Sequence, residues 1–471
     1  MRTEADSMGS MAIPEDVYYG IQSLRARNNF NMTGRPLHPV FITNLIRIKK
    51  AAALTNFEAG LLKKEQAISI MKACDEVMAG SLREQFIVDA IQGGAGTSAN
   101  MNANEVIANR AIELLGGSKG NYSILHPNDH VNMAQSTNDV IPSAGKMTAT
   151  ELLKEAVEEL KKLCQALNQK SSEFDNILKI GRTQLQDAVP MRLGQSFGAY
   201  LSAVKRDVGR LALAGEEMLN LNLGGTAIGS GINVSPYYYS NIIPNLNKLF
   251  SYEYKQAGDL FDATQNLDGF VQVSGCLKSC AVNLSKLCND LRLLSSGPRT
   301  GLGEINLPPL QNGSSIMPGK VNPVIPEVVN QAAFQIIGND AAITWAAAAG
   351  QLELNAFEPV LFYNLFESLD LLRHASRALT NLCITGITAN RDRCIGLLEK
   401  SVCSATALCP VIGYEKSAAV AKAALREDTT VKEIVHKENI LPEEEMGKVL
   451  DLFPMTFSPK QVFRIEDVKK L

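Results

Sequence analysis

Residues 270–294 read FVQVSGCLKSCAVNLSKLCNDLRLL. Within them Phe270, Val273, Leu277, Cys280, Leu284, Leu287, Leu291 and Leu294 recur at spacings of three and four, which puts them on one stripe of an α-helix. The stripe runs well past the ~12 residues of an average globular helix. Two more stripes precede it: Leu153, Val157, Leu160, Leu163 and Leu167, then Phe197, Leu201, Val204, Val208, Leu211 and Met218. Helices are predicted also over 326–350 and 358–383. The first of these is nearly apolar from Ala341 to Ala349 and holds the only tryptophan, Trp345. A helix that is apolar most of the way round has to be covered on several sides. It is therefore expected inside a bundle or at a contact between subunits. These patterns predict a mainly all-α fold organised around a bundle of long helices.

The pattern changes twice along the chain. Residues 1–138 mix short helices with turns and read as a mostly helical amino-terminal region. Residues 139–393 form the long-helix centre. Residues 394–471 turn to short charged helices, with breaks at Pro410, Pro442, Pro454 and Pro459. With 471 residues the chain is long enough to bury a large core. Its 45% hydrophobic and 20% charged content is that of an ordinary globular protein, without the basic excess of a nucleic-acid binder. Since the net charge is -3, an anionic substrate has to be drawn in by local cations and N–H groups.

Nine cysteines without a C-x-x-C pair favour free thiols in a reducing compartment. Five scattered histidines make no metal-ligand cluster, so no metal is predicted. The acidic start, Met1 to Asp6, lacks the apolar core of a signal peptide, and no apolar run reaches the roughly 18 residues that span a bilayer. A cytoplasmic protein with neither membrane nor nucleic acid as partner is the expectation.

Between the helical stretches lie polar segments without either periodicity, at 92–104, 120–138, 180–190, 222–235 and 299–323. Long connections in a compact protein are usually functional. Gly313-Ser314-Ser315-Ile316-Met317-Pro318-Gly319-Lys320-Val321-Asn322-Pro323 carries two hydroxyls, an ammonium and a carboxamide between glycines and prolines. Those groups suit the handling of a small anion, with Ser314 as a possible proton acceptor, although Gly, Pro, Ser and Asn also build ordinary turns. Glycines at 301, 303, 313 and 319 are expected to give this segment room to move. Gly93-Gly94-Ala95-Gly96-Thr97-Ser98 exposes N–H groups ahead of an expected helix start, yet it lacks the lysine and the preceding strand of a phosphate-binding P-loop. Gln135-Ser136-Thr137-Asn138-Asp139 contains more Ser, Thr, Asn and Asp than helix capping needs. Gly181-Arg182-Thr183-Gln184-Leu185-Gln186-Asp187 sets an arginine beside amides and a hydroxyl, and is expected as a loop before a helix. A bundle brings distant helix ends together, so the four segments are candidates for one composite site.

These four blocks resemble the conserved blocks of the aspartase/fumarase superfamily, in the same order and across nearly the whole chain. Within it, Gly94-Ala95-Gly96-Thr97-Ser98, Gln135 to Asp139, and Asn322-Pro323-Val324-Ile325-Pro326-Glu327 are similar in wording to the ammonia-lyases rather than the class II fumarases. Fumarases usually have a histidine where this chain has Gln184. The resemblance implies a three-domain, almost all-helical lyase whose central helices assemble into a homotetrameric core, with active sites shared between subunits and no cofactor. It implies the reversible conversion of L-aspartate to fumarate and ammonia; a fumarate hydratase and a catalytically silent relative are the alternatives. Carried over by residue, Ser314 would remove the Cβ proton and Ser315 would bind a carboxylate beside it. Thr97, Ser136 and Thr137 would hold the β-carboxylate, and Lys320 and Asn322 the α-carboxylate. Asn138, Thr183 and Gln184 would lie near the amino group or the carboxylates.

The chemistry independently calls for such a set. A proton β to the amine is α to the other carboxylate, so its removal creates an aci-carboxylate with two negative charges. Several preorganised donors have to face that group, and losing one typically costs roughly 10²- to 10³-fold in rate.

Overall fold

All three apolar stripes fold as helices, Thr137–Glu173, Leu193–Glu216 and Asp268–Leu294, in the computed structural model, which describes residues 1–457. Of the stripe residues only Val208 is not buried. The two later helices, Val324–Ala348 and Glu358–Leu382, lie close to their predicted bounds. The main sheets among the described residues are small two-stranded pairs, so the expected mainly α-helical class holds. No single described helix is long and apolar enough to cross a membrane.

Two compact units make up the chain. The first comprises Met1–Glu158, Asp207–Val282 and Ala332–His374; the second comprises Glu159–Arg206, Asn283–Gln331 and the described residues from Ala375 on. In the first, helices Pro39–Glu58, Lys64–Met78 and Thr97–Leu114 are longer than the short helices expected for the first 138 residues. Pro39 starts its helix where a missing N–H does no harm, and His38 Nδ1 accepts the N–H of Val40 as a cap. Phe362 stacks on Phe366 with ring centres 5.5 Å apart, while Phe270 meets it edge-on at 5.2 Å.

In the second unit, Leu178–Thr183 and Gln186–Arg192 form an antiparallel hairpin. This differs from the loop expected over 180–190. Its two-residue turn is Gln184-Leu185, both at positive φ (54° and 63°), without the Asn-Gly or Gly that usually announces such a turn. Ile180 of the hairpin packs with Leu398 and Cys403. A separate cluster of Leu408, Val420, Ile434, Val435 and Met446 holds the short carboxy-terminal helices together. The break expected at Pro459 and the end of the 394–471 region lie outside the described residues.

Helix Val324–Ala348 has an uncovered face. Phe334 and Trp345 are 60% and 76% exposed, and Ala341 between them is exposed as well. Of the two expected places for this helix, the interior of the chain's own bundle does not account for that face.

Candidate functional site

The first unit carries Thr97 and the Ser136-Thr137-Asn138 triplet. Gly96 occupies the left-handed region (φ +85°) and caps helix Thr97–Leu114, so that Thr97 opens the helix and is exposed. Helix starts leave backbone N–H groups without intrahelical partners, which favours an anion there. At the start of Thr137–Glu173 Ser136 and Asp139 share the capping. The buried Asp139 carboxylate accepts the N–H of Ser136 at 2.9 Å and those of Gly224 and Thr226 at 3.1 and 3.2 Å. Burial pushes the Asp139 carboxyl above the ordinary range against the pull of these three N–H groups.

With Asp139 so occupied, the neighbouring side chains are left with defined polarity. Ser136 Oγ accepts the N–H of Asn138 at 3.2 Å, and Thr137 Oγ1 accepts from the Asn100 amide at 3.2 Å. A hydroxyl that accepts still has one proton to give. Asn138 Nδ2 donates to the Ala227 carbonyl at 2.7 Å, so its Oδ1 remains as an acceptor. Two hydroxyl donors beside one amide acceptor suit a carboxylate next to a protonated amine. The 222–235 segment, singled out in the sequence but given no role, thus sets the orientation of Asn138 and Asp139.

The second unit carries the remaining candidates. Thr183 and Gln184 stand exposed at the tip of the hairpin. Its base is tied down by Glu304, a fully buried carboxylate 2.6 Å from the Arg182 guanidinium and 3.0 Å from the Lys179 ammonium. Glu304 had no signal in the sequence, because its cations are more than a hundred positions away. Glu327, in the first turn of helix Val324–Ala348, lies 3.8 Å from Arg292.

Around Ser314 the chain closes on itself. The N–H of Gly313 donates to the Lys320 carbonyl at 2.8 Å, and Asn322 Nδ2 donates to the Gly313 carbonyl at 3.1 Å. Ser314 Oγ accepts the N–H of Ile316 at 3.2 Å, an arrangement that favours negative charge on that oxygen. Ser315 and Lys320 are exposed, Ser314 and Asn322 half-buried. Gly301 and Gly313 serve close packing rather than the room to move expected of them. A Cβ on Gly313 would lie 2.6 Å from the Lys320 carbonyl oxygen, and one on Gly301 would lie 2.5 Å from the Ser296 backbone.

The fold is helical with polar loops at its helix starts, one of them holding two serines, a lysine and an asparagine, and comparison with known proteins gives its class as a lyase. The family described as Lyase matches residues 9–338, and that described as Fumarase C C-terminus matches 405–456. An aspartate ammonia-lyase of Helicobacter pylori is 52% identical over 451 residues, covering 95% of this chain and 96% of its own. Among solved structures, a fumarate lyase:delta crystallin of Brucella melitensis superposes with a TM-score of 0.94 at 48% identity, covering 97% of this chain and all of its own. A recombinant class II fumarase of Schistosoma mansoni gives 0.92 at 36% identity, covering 97% and 99%. The chain belongs to the aspartase/fumarase superfamily of lyases, among relatives that carry the aspartate ammonia-lyase name.

Proposed function

We propose that this protein is an aspartate ammonia-lyase, which converts L-aspartate reversibly to fumarate and ammonia. The observation that carries the reading is the polarity of the Ser136-Thr137-Asn138 turn, with two outward donors for a carboxylate and one acceptor for an ammonium. Identity to the Helicobacter pylori ammonia-lyase well above that to the Schistosoma mansoni fumarase supports it, as does Gln184 in place of the fumarase histidine.

In this mechanism Ser314 takes the Cβ proton as an alkoxide, a form stabilised by the Ile316 N–H and by the positive charge of Lys320, and becomes the neutral hydroxyl. Thr97, Ser136 and Thr137 donate to the β-carboxylate as it gains charge. Ser315 binds beside it, and Lys320 with Asn322 holds the α-carboxylate. Asn138 accepts from the amine, with Thr183 and Gln184 completing its surroundings. Collapse of the aci-carboxylate then expels the amine and leaves fumarate. No cofactor and no metal enter these steps.

The same reading makes the protein a homotetramer whose sites are shared between subunits, with the exposed Phe334 and Trp345 face covered by other copies. It retains three functional regions, 1–138, 139–393 and 394–471, and a cytoplasmic location, which nine cysteines outside any disulfide favour. The test is a parallel assay of purified protein with L-aspartate and with malate, following the ultraviolet absorbance of fumarate. Absorbance from aspartate and not malate is expected; the reverse would make the protein a hydratase, and none from either would overturn the lyase assignment.

A further inference from the structure

Lys49 is a fully buried lysine in the middle of helix Pro39–Glu58. Its ammonium donates to Asn132 Oδ1 and to Gln135 Oε1, each at 2.9 Å. Burial holds its pKa well below the ordinary lysine value, while the Asp139 carboxylate favours the charged form. An isolated buried cation is unfavourable, so its retention beside the candidate site asks for a reason.

Following the protons gives one. An ammonium has only hydrogens to offer, so the atom of Asn132 that faces it has to be the oxygen. That same oxygen takes Nδ2 of Asn100 and Nδ2 of Asn104, each at 3.2 Å. Asn100 is thereby oriented with its NH2 inward, and the same NH2 reaches Thr137 Oγ1 at 3.2 Å. Thr137 Oγ1 accepts from below through one of its two lone pairs, so its own proton has to point away from that NH2. Reversing any amide in the series would set oxygen against oxygen or NH2 against ammonium.

We propose that Lys49 is a positioning residue that fixes, through Asn132 and Asn100, the outward direction of the Thr137 hydroxyl proton and so keeps that group a donor to the substrate carboxylate. The role rests on the aspartate reading of the site, in which Thr137 touches the carboxylate; Lys49 itself does not. Nothing in the sequence distinguishes Lys49 from Lys50, which pairs with Asp75 at the surface.

A double-mutant cycle tests this. In the full-length protein, Lys49→Met and Thr137→Val are each expected to lower kcat/KM for aspartate by roughly 10²-fold, the usual effect of one lost donor. Lys49→Met is also expected to weaken binding of succinate, a dicarboxylate without an amine. Because Lys49 acts through Thr137, the double variant is expected to be no worse than the poorer single one. Multiplication of the two losses would overturn the proposal, as would Lys49→Met with wild-type kcat/KM. If Lys49→Met does not fold, Asn100→Ala takes its place in the cycle with the same criterion, since it cuts the link and leaves both Lys49 bonds in place. Wild-type protein inactive on aspartate would instead overturn the function, and succinate affinity would still judge Lys49.

Discussion

Asn138 reaches from the start of its helix to the Ala227 carbonyl, 2.7 Å away, and this bond decides which end of its amide faces outward. In Asn138→Asp a carboxylate oxygen would stand against that carbonyl with no proton between them. The side chain would swing away, and loop 222–227 would lose one of its ties, keeping those to Asp139. A decrease in kcat/KM of at least about tenfold is expected, together with a lower melting temperature, since leaving a part-buried acceptor unpaired costs up to about 3 kcal/mol. Steady-state kinetics and a thermal scan on the same preparation check both.

Ser314 contributes little to the fold. Its hydroxyl accepts one N–H, that of Ile316, within its own exposed turn. Ser314→Ala is therefore expected to leave circular dichroism and oligomer size unchanged while lowering kcat roughly 10²- to 10⁴-fold, the range for a lost general base. Near-normal kcat would remove Ser314 from the base role.

Gly313 makes a sharper test of the closed turn, because it touches no substrate in the proposed mechanism. In Gly313→Ala the added methyl would come within 2.6 Å of the Lys320 carbonyl, so the bond that shuts the turn has to open. Displacement of reacting groups by about 1 Å can cost ~10²-fold in rate. A large loss of kcat with a melting temperature close to wild type is expected. Equal loss of both would mean that the turn supports the fold instead.

Glu105 predicts a pH dependence of stability. Its buried carboxylate accepts the N–H groups of Gly20, Gln22 and Ser23 at 2.8–3.0 Å and the Ser23 hydroxyl, capping helix Ile21–Asn29 from a distance. Burial nevertheless pushes its carboxyl up to about 7. The folded chain thus holds this proton more tightly than the unfolded one between the ordinary glutamate value of 4.5 and about 7, so the Glu105 contribution to stability falls as pH rises through that window. Glu105→Gln is expected to flatten this part of the melting temperature–pH curve. It is also expected to lower the melting temperature throughout, because an amide NH2 then faces N–H donors.

Much of this arrangement is legible in the sequence, and the exceptions have physical causes. Leu153 to Leu167 and Phe270 to Leu294 announce their helices because one covered face forces a spacing of three and four. Thr97 and Ser136 to Asn138 announce themselves because four or five polar residues at a helix start exceed what capping uses. The hairpin under Thr183 was not legible: its turn is Gln184-Leu185, and a leucine at positive φ has no sequence signature. Nor was the role of Lys49 or Glu304, since a buried charge is marked only by partners that the fold brings to it, here Asn132 and Gln135 in one case and Arg182 and Lys179 in the other.

The bare Trp345 face has one more use. Indole emission shifts to shorter wavelength when the ring leaves water, and this chain has a single tryptophan, 76% exposed while the chain is alone. In the proposed homotetramer this ring would be a built-in gauge of association. Dilution that separates the copies is expected to move the emission to the red, and a species that binds only the folded assembly raises its melting temperature by mass action. Fluorescence alone can then tell whether loss of activity in a variant begins with the chemistry or with the company the chain keeps.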